Sequence, residues 1–235
     1  MNVKFLSDTM LFRGLREEEI VSVLACLNAK TQCFDKGEVI CRAGESISSM
    51  GLVLSGSVNI VVNYYWGGSN IFGHVGPGDL FAESYAALPG QELLVDVAAA
   101  EPVEVLFLPF LRLTETCSAS CPFHRGTIHN LLQIMARKNL NLSARMIHTA
   151  SRSIRSRLLS YFSEQVIQNG SNQFTIPFSR QQLADYLGVD RSALSNELSK
   201  MRKDGLISYR KNQFILTEHH PYDVSDLAVR PAKEG

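Results

Sequence analysis

Residues 177–207 constrain the fold more than any other part of the chain, because two short helices are predicted there with only a tight turn between them. Ser179 and Asp190 are of the residue types that cap helix N-termini. Gly188 and Gly205 follow apolar helical positions and predict the ends of the two helices. Two helices joined by a short turn that contains glycine form the helix-turn-helix pattern.

The second of these helices has an apolar side and a polar side. Leu194 and Leu198 recur at helical spacing and predict the buried side. The polar side carries the candidate base-reading residues Arg191, Ser192, Ser195 and Asn196. Arginine can pair with guanine and asparagine with adenine in the major groove. A solvated helix face is the alternative explanation for any one of these residues.

A basic hairpin is predicted directly after the second helix. Residues 206–209 and 214–216 alternate in polarity around the basic tip at 210–213, which is typical of a wing. The candidate phosphate-contacting residues around the predicted helices and wing are Ser179, Arg180, Gln181, Lys200, Lys203, Arg210 and Lys211.

The net charge of zero conceals an asymmetry along the chain. Residues 1–124 carry a net charge of −7, residues 125–150 carry +4 and residues 151–217 carry +5. A basic second half favours contact with a polyanion such as DNA, although solvated helices are also often basic.

The first half is predicted to be rich in β-structure. A helical period over 11–29 predicts an entry helix, and from residue 31 to 108 short apolar runs are interrupted by glycine about every ten residues. This pattern is typical of an antiparallel sandwich or roll.

A single long helix is predicted over 125–148. Its apolar positions recur at alternating steps of four and three residues, as in a coiled coil. The predicted dimer seam consists of Ile128, Leu132, Met135, Asn139, Leu142 and Met146. This stripe either packs on its own β domain or pairs with a second copy. We favour pairing, because a second apolar set (Ile134, Leu140 and Ile147) is available for the domain.

Several stretches resemble the Crp–Fnr superfamily of bacterial transcription regulators. In the second half these are 183–191 (LADYLGVDR) and 204–207 (DGLI). In the first half, 34–40 (FDKGEVI) and 52–58 (LVLSGSV) are similar to the cyclic-nucleotide-binding β-roll of that family, and 78–83 (GDLFAE) is similar to the start of its phosphate cassette. The resemblance covers essentially residues 5–217.

The resemblance implies an α+β chain with an antiparallel β-roll sensor, a long dimerisation helix and a C-terminal winged helix-turn-helix domain. The expected boundaries are 1–124 for the effector domain, 125–150 for the helix and hinge, 151–220 for the DNA-binding domain and 221–235 for a tail. The implied partners are a second copy of the chain, a palindromic promoter site in double-stranded DNA, and RNA polymerase.

The expected DNA sequence differs from the site of the cyclic-AMP receptor. Arg191, Ser192 and Asn196 fall where the base-contacting residues of the family lie. Ser192 stands where that receptor has Glu, and Asn196 stands where it has the distal Arg.

The expected effector is not cyclic AMP. In the family the phosphate cassette ends in Arg-Ser/Thr-Ala, whereas residues 93–95 are Leu-Leu-Val here. A buried phosphate without a cation loses a charge-assisted hydrogen bond and is costly to desolvate. We expect an apolar or weakly acidic small molecule, or no ligand. The candidate effector-pocket residues are Glu83, Ser84, Leu93, Leu94, Val95 and Asn139, of which the apolar members equally suit a plain core.

The cysteines offer a second hypothesis, a redox- or metal-sensing regulator. The oxygen-sensing branch of the family uses a closely spaced N-terminal cysteine cluster, but the spacing of Cys26, Cys33 and Cys41 departs from that pattern. Cys117 and Cys121 are candidates for a redox pair. We expect no resident cofactor and no metal, because buried cysteine mostly behaves as a small apolar residue.

Other classes of protein have little support in the sequence. No phosphate-cradling glycine loop, nucleophile elbow or zinc-type His-Glu spacing is present, so an enzyme is not expected. No apolar run is long enough for a membrane span, and no secretory signal is recognised, which favours the cytoplasm and no membrane partner. A ligand-binding module without DNA function remains an alternative, but it leaves residues 173–217 unexplained.

Overall fold

The computed structural model describes residues 2–114 and 122–217, and the chain forms two compact units. The first unit comprises Met1–Lys138 and the second Asn139–Gly235. The elements of the first unit are α1 (Val3–Asp8), α2 (Glu17–Leu27), β1 (Lys30–Phe34), β2 (Val39–Cys41), β3 (Ser49–Ser55), β4 (Val58–Asn63), β5 (Ser69–Val75), β6 (Leu80–Phe81), α3 (Glu83–Ala86), β7 (Asp96–Ala99), β8 (Val103–Pro109) and α4 (Phe110–Thr114). Helix α5 (Pro122–Thr149) contains the boundary between the units.

Two antiparallel four-stranded sheets build the first unit. Their strand orders are β1-β8-β3-β6 and β2-β7-β4-β5. Neighbouring residues of one strand serve two different cores. Val53 and Val105 pack in the cluster that also contains Val58 and Val97 of the other sheet, whereas Leu52 packs in the helical cluster. This alternation follows from the pleat, because successive side chains of a strand point to opposite faces.

A glycine permits close packing between β3 and β6. Gly51 pairs with Phe81 across the two strands, and a Cβ atom at Gly51 would lie 2.2 Å from Cζ of the Phe81 ring. The ring therefore occupies the space that any larger residue at position 51 would need.

The outer face of the first sheet is covered by helices. Phe12, Ile20 and Leu27 from the N-terminal segment are fully buried against Leu52 and Leu106. The start of α5 joins the same cluster through its residues Phe123, Ile128, Leu131, Ile134 and Met135. The predicted entry helix is present as α2, with the short α1 preceding it.

Between the end of α5 and residue 217, the second unit contains three helices and a small sheet. Its elements are α6 (Ile154–Asn169), β9 (Gln173–Thr175), α7 (Arg180–Leu187), α8 (Arg191–Lys203), β10 (Ile207–Arg210) and β11 (Gln213–Leu216). The predicted wing is confirmed as β10 and β11, and β9 adds a third strand, in the order β10-β11-β9. Phe174 on β9 pairs with Phe214, which in turn packs on Phe162 of α6 with ring centroids 4.7 Å apart.

The α+β class with antiparallel sheets and a winged helix-turn-helix is thus confirmed. The caps of the helix-turn-helix are the residues that the sequence predicts. Ser179 and Gln182 form a capping box at α7, Gly188 ends that helix with φ 64°, and the carboxylate of Asp190 caps α8. Within the described ranges no helix is long and apolar enough to cross a membrane.

The six predicted seam residues of α5 differ in their exposure. Ile128 and Met135 are partly buried against the core of the first unit, so at these two positions the predicted seam also packs on its own domain. Leu132, Asn139, Leu142 and Met146 are exposed. In the second apolar set, Ile134 packs on its own domain as predicted, whereas Leu140 and Ile147 are 67% and 66% exposed.

Candidate DNA-binding interface and effector site

Helix α8 is buried on one side and open on the other. Leu194, Leu198 and Met201 have no exposed surface and anchor the helix in the core of the second unit. The four predicted base-reading residues, Arg191, Ser192, Ser195 and Asn196, are all exposed.

Three of these four side chains have all their hydrogen-bonding capacity available. Within residues 2–114 and 122–217, the side chains of Arg191, Ser195 and Asn196 make no hydrogen bond or ion pair. The guanidinium and the amide present the donors and acceptors that recognise purine edges. The structure therefore brings these groups together on one polar surface at the start of α8.

Ser192 is partly committed to the helix cap. Its hydroxyl donates to Oδ1 of Asp190, which also accepts from the backbone N–H groups of Ser192 at 2.8 Å and Ala193 at 2.9 Å. The bond from the Ser192 hydroxyl, together with the backbone bonds, lowers the pKa of Asp190. The hydroxyl oxygen of Ser192 can still accept a hydrogen bond, but its proton is already donated to the capping carboxylate of Asp190.

The phosphate candidates lie on the helices and the wing. Lys200 and Lys203 are exposed near the end of α8, and Arg210 and Lys211 are exposed at the tip of the wing, where Lys211 has φ 55°. Ser179 and Gln181 are exposed at the start of α7. Oγ of Ser179 accepts from the N–H of Gln182, and the amide of Gln181 donates to Asp185.

Arg180 does not fit the predicted phosphate contact. Its guanidinium lies 5.1 Å from the ring centre of Tyr209 and 5.0 Å from that of Phe214, and Nη2 donates to the carbonyl of Lys211 at 2.7 Å. Burial lowers the pKa of Arg180, and Nη1 is buried without a hydrogen-bond partner among the described residues. The side chain packs against the wing instead of reaching outward.

Helix α8 is also held by an arginine that sequence analysis missed. Nε of Arg155 on α6 lies 2.6 Å from Glu197, and Nη2 lies 2.7 Å from Asp204 just past the end of α8. These carboxylates raise the pKa of Arg155. The partners are 42 and 49 residues away in sequence, so no local pattern indicates the contact.

Two further arginines hold the turn between α7 and α8. Arg157 donates to the carbonyls of Leu187 and Gly188 at 2.8 and 3.2 Å. Arg145 donates to the carbonyls of Asp185 and Tyr186, each at 2.9 Å. The last carbonyls of a helix lack intrahelical donors, so these cations satisfy groups that would otherwise need water.

The predicted effector residues are not gathered into one enclosed pocket. Leu93 is 2% exposed and belongs to the core between the sheets, whereas Leu94 is 77% exposed and cannot line a closed cavity. Ser84 is exposed and Val95 is half-buried. Asn139 is exposed and belongs to the second unit.

Among the candidate effector residues, Glu83 is a buried polar group, and a lysine of α5 forms an ion pair with it. The side chain of Glu83 is only 6% exposed, and Nζ of Lys138 lies 2.7 Å from its Oε1. Lys138 also donates to the carbonyl of Leu80 at 2.7 Å. Lys138 lies 55 residues beyond Glu83, so the sequence around residues 93–95 gives no sign of this cation.

The cysteines within the described ranges do not form a metal site. No group of three or more His, Cys, Asp or Glu side chains there is placed to hold a metal ion. Burial raises the pKa of Cys41 to about 11, so this thiol stays protonated at neutral pH. The predicted redox candidates Cys117 and Cys121 and the predicted tail 221–235 lie outside the described residues.

Comparison with known proteins identifies both halves of the chain. Residues 31–120 match the family model of the cyclic nucleotide-binding domain, and residues 156–220 match that of the Crp-like helix-turn-helix domain. The transcriptional activator protein FnrA of Stutzerimonas stutzeri is 27% identical over 73% of this chain and 70% of its own length. Electron transport regulator A of Shewanella oneidensis is 23% identical over 79% and 74%.

A solved structure shares the fold. The structure described as OCPA-complexed CprK aligns with a TM-score of 0.62 and 16% identity over 89% of this chain and 93% of that one. The fold and the matched models define a DNA-binding transcription regulator that combines a ligand-binding domain of the cyclic-nucleotide type with a helix-turn-helix. The chain belongs to the Crp–Fnr superfamily.

Proposed function

We propose that the chain is a homodimeric regulator that reads a palindromic promoter site and responds to a small-molecule effector other than cyclic AMP. The proposed domains are 1–124 for effector binding, 125–150 for dimerisation and the hinge, and 151–220 for DNA binding. The names of its relatives, an activator and a regulator, favour a role in transcription with RNA polymerase as a partner. An enzymatic activity is not part of this proposal.

The polar surface of α8 is the observation that carries the proposal. Arg191, Ser195 and Asn196 are exposed and unengaged in the described part of the chain, while the opposite side of the same helix is fully buried. Lys200 and Lys203 follow on α8 and supply positive charge for the DNA backbone. The start of α8 would contact bases, and the basic residues nearer its end would contact phosphates. This arrangement suits a helix lying in the major groove.

The exposed apolar side chains of α5 support the proposed dimer. Leu132, Leu142 and Met146 are 61%, 54% and 73% exposed. Burying a side chain of this size fully contributes about 1.5–3 kcal/mol, so a pair of such helices gains substantially by association. A two-fold dimer would also present two copies of α8 related by the same symmetry as the half-sites of a palindrome.

The ion pair of Glu83 and Lys138 supports an effector that differs from cyclic AMP. Residues 93–95 provide no cation for a phosphate, and Lys138 is already neutralised by a nearly buried carboxylate. An anionic ligand would have to displace Glu83 from Lys138, whereas an apolar or weakly acidic molecule need not. Micromolar affinity for cyclic AMP in calorimetry would contradict this part of the proposal.

Selection of bound duplexes from random DNA tests the main proposal. We expect recovery of a palindromic sequence, binding that weakens with salt, and a dimer in sedimentation equilibrium. A monomer, or a set of recovered duplexes without a common sequence, would contradict it. The second outcome would favour the alternative of a ligand-binding module without DNA function.

A redox- or metal-sensing regulator is the second candidate within the family. It depends on Cys117 and Cys121, because Cys41 is buried with a raised pKa and no cysteine cluster for a metal occurs in the described ranges. Absorption spectra of protein purified without oxygen test this candidate. A coloured, iron-containing protein would favour it over the small-molecule effector.

A further inference from the structure

A buried histidine joins the last turn of α5 to the helix-turn-helix of the same unit. His148 is 2% exposed. Its Nδ1 lies 2.8 Å from Oη of Tyr186 on α7, and its Nε2 lies 2.9 Å from Oε2 of Glu164 on α6. An ionised carboxylate only accepts hydrogen bonds, so Nε2 carries the proton that faces Glu164. In the neutral ring Nδ1 then accepts from the Tyr186 hydroxyl.

Aromatic rings enclose this histidine. Tyr161 of α6 packs edge-on against it with ring centroids 5.5 Å apart, and Tyr186 lies at 5.8 Å. Tyr186 also stacks on Phe178 at 5.0 Å. Burial lowers the pKa of His148, and the carboxylate of Glu164 opposes that shift only in part. The ring is therefore neutral at pH 7 and above.

A second tie lies one turn earlier on α5. Arg145 donates through Nε to the carbonyl of Tyr186 and through Nη2 to that of Asp185. Its guanidinium lies 5.7 Å from the centre of the Tyr186 ring. Two basic side chains of α5 thus hold the same end of α7, one through the backbone and one through the side chain of Tyr186.

We infer that Arg145 and His148 are positioning residues for DNA binding. Together with Glu164 and Tyr186 they form a latch. Protonation of His148 releases this latch, and its release moves α8. The inference rests on the DNA-binding function proposed above. The latch acts through α7, since none of its four side chains lies on α8.

The chain path explains how the latch would reach α8. Helix α7 ends at Leu187, and α8 begins at Arg191 after a turn of only three residues. A turn this short transmits a displacement of the end of α7 directly to the first turn of α8. Arg191, the first candidate base-reading residue, is therefore the first to move when Tyr186 moves.

Protonation reverses one hydrogen bond of the latch. Once Nδ1 carries a proton it becomes a donor, so the Tyr186 oxygen must accept and its own hydroxyl proton loses this partner. The ring also gains a charge in a buried place, which is unfavourable unless the site opens. Among the described residues, the titratable groups that contact His148 are Glu164 and Tyr161 from α6 and Tyr186 from α7. Arg145 of α5 brings a positive charge next to this site, over the ring of Tyr186.

The direction of the pH dependence follows from these contacts. Because burial lowers the pKa of His148 in the folded protein, the neutral ring stabilises the closed latch fully at any pH above the ordinary histidine pKa of about 6.5. That contribution is lost as the pH falls from this value through the folded-state pKa. The latch therefore weakens in mild acid and is intact at neutral pH.

The experiment measures affinity for a selected duplex between pH 8 and pH 5.5 by fluorescence anisotropy at constant ionic strength. It compares wild type, His148→Gln and the matched control His129→Gln, since His129 is exposed on the same helix. We expect wild type and His129→Gln to lose about fivefold in affinity below pH 6.5, the size of one hydrogen bond. We expect His148→Gln to lose clearly less. Parallel profiles for all three proteins would overturn the latch.

Two further measurements keep the test decisive. If circular dichroism shows that His148→Gln does not fold, Tyr186→Phe replaces it, because that variant keeps the ring and removes only the hydroxyl. If the DNA affinity of Tyr186→Phe depends on pH as that of wild type does, the latch is overturned. Nitrogen NMR of labelled histidine should show the Nε2–H form of His148 and a pKa below the ordinary histidine value, and an unshifted pKa of His148 would also overturn it. Failure to select any duplex at pH 8 would instead contradict the proposed DNA-binding function.

Discussion

Lys138 neutralises Glu83 across 55 residues of sequence, with its Nζ 2.7 Å from Oε1 of a carboxylate that is only 6% exposed. The lysine is itself 43% exposed, so the partner that suffers most from breaking the pair is Glu83. A carboxylate left without its cation in a nearly buried place is unfavourable.

Lys138→Met should therefore lower the free energy of unfolding of the first unit by about 1–3 kcal/mol at pH 7. Urea unfolding measures the change, with Lys36→Met as a control, because Lys36 is exposed and makes no ion pair within the described residues. The double variant Lys138→Met with Glu83→Gln should recover part of the loss. Equal effects of Lys138→Met and Lys36→Met would show that the pair has no energetic role.

Arg155→Met removes both ion pairs that tie α6 to the end and middle of α8. The second unit should unfold at a lower temperature, and affinity for the selected duplex should fall several-fold because α8 is less well positioned. Arg152→Met is the control, since Arg152 is exposed three residues earlier. Unchanged DNA affinity in a folded Arg155→Met protein would mean that the core residues of α8 position it unaided.

Arg191→Ala and Arg210→Ala should lose affinity in different ways. Removing Arg191 should reduce binding to the selected duplex by about 1–3 kcal/mol per half-site and relax the sequence preference there. Removing Arg210 should weaken binding to all sequences alike and reduce the salt slope by about one. Competition against random DNA at several salt concentrations separates the two. An equal loss on cognate and random DNA in Arg191→Ala would contradict base reading.

Gly51→Ala should destabilise the first unit by about 1–3 kcal/mol, because the new Cβ would lie 2.2 Å from the Phe81 ring. Gly73→Ala is the matched control in a strand, since its Cβ would be 3.5 Å from the nearest atom of Ile60. Thermal unfolding measures both. Combining Gly51→Ala with Phe81→Leu should restore stability, and failure of this rescue would point to a cause other than the ring.

Local signals in the sequence predicted the helix-turn-helix in detail. Ser179, Gly188 and Asp190 act within three or four residues of their own positions, so their capping roles follow from residue type and spacing. The wing was predicted for the same reason, but β9 was missed because a three-residue strand has almost no periodicity.

Contacts between distant residues were not predictable in this way. Lys138, Arg155 and His148 each meet partners between 16 and 58 residues away, and their own neighbours give no sign of it. The apolar period of α5 likewise predicts an apolar face on this helix but does not show which surface packs against it. Ile128 proved to pack on its own unit, while Leu132 is exposed four residues later.

The side chains that fasten α8 in place and those that would meet a base pair are separate sets on separate faces. Leu194, Leu198 and Glu197 do the first task, and Arg191, Ser195 and Asn196 are left for the second. Exchanges among the second set cost the fold almost nothing, since exposed positions without partners tolerate substitution. A lineage carrying this scaffold can thus acquire new promoters by small steps, each variant remaining a properly folded protein.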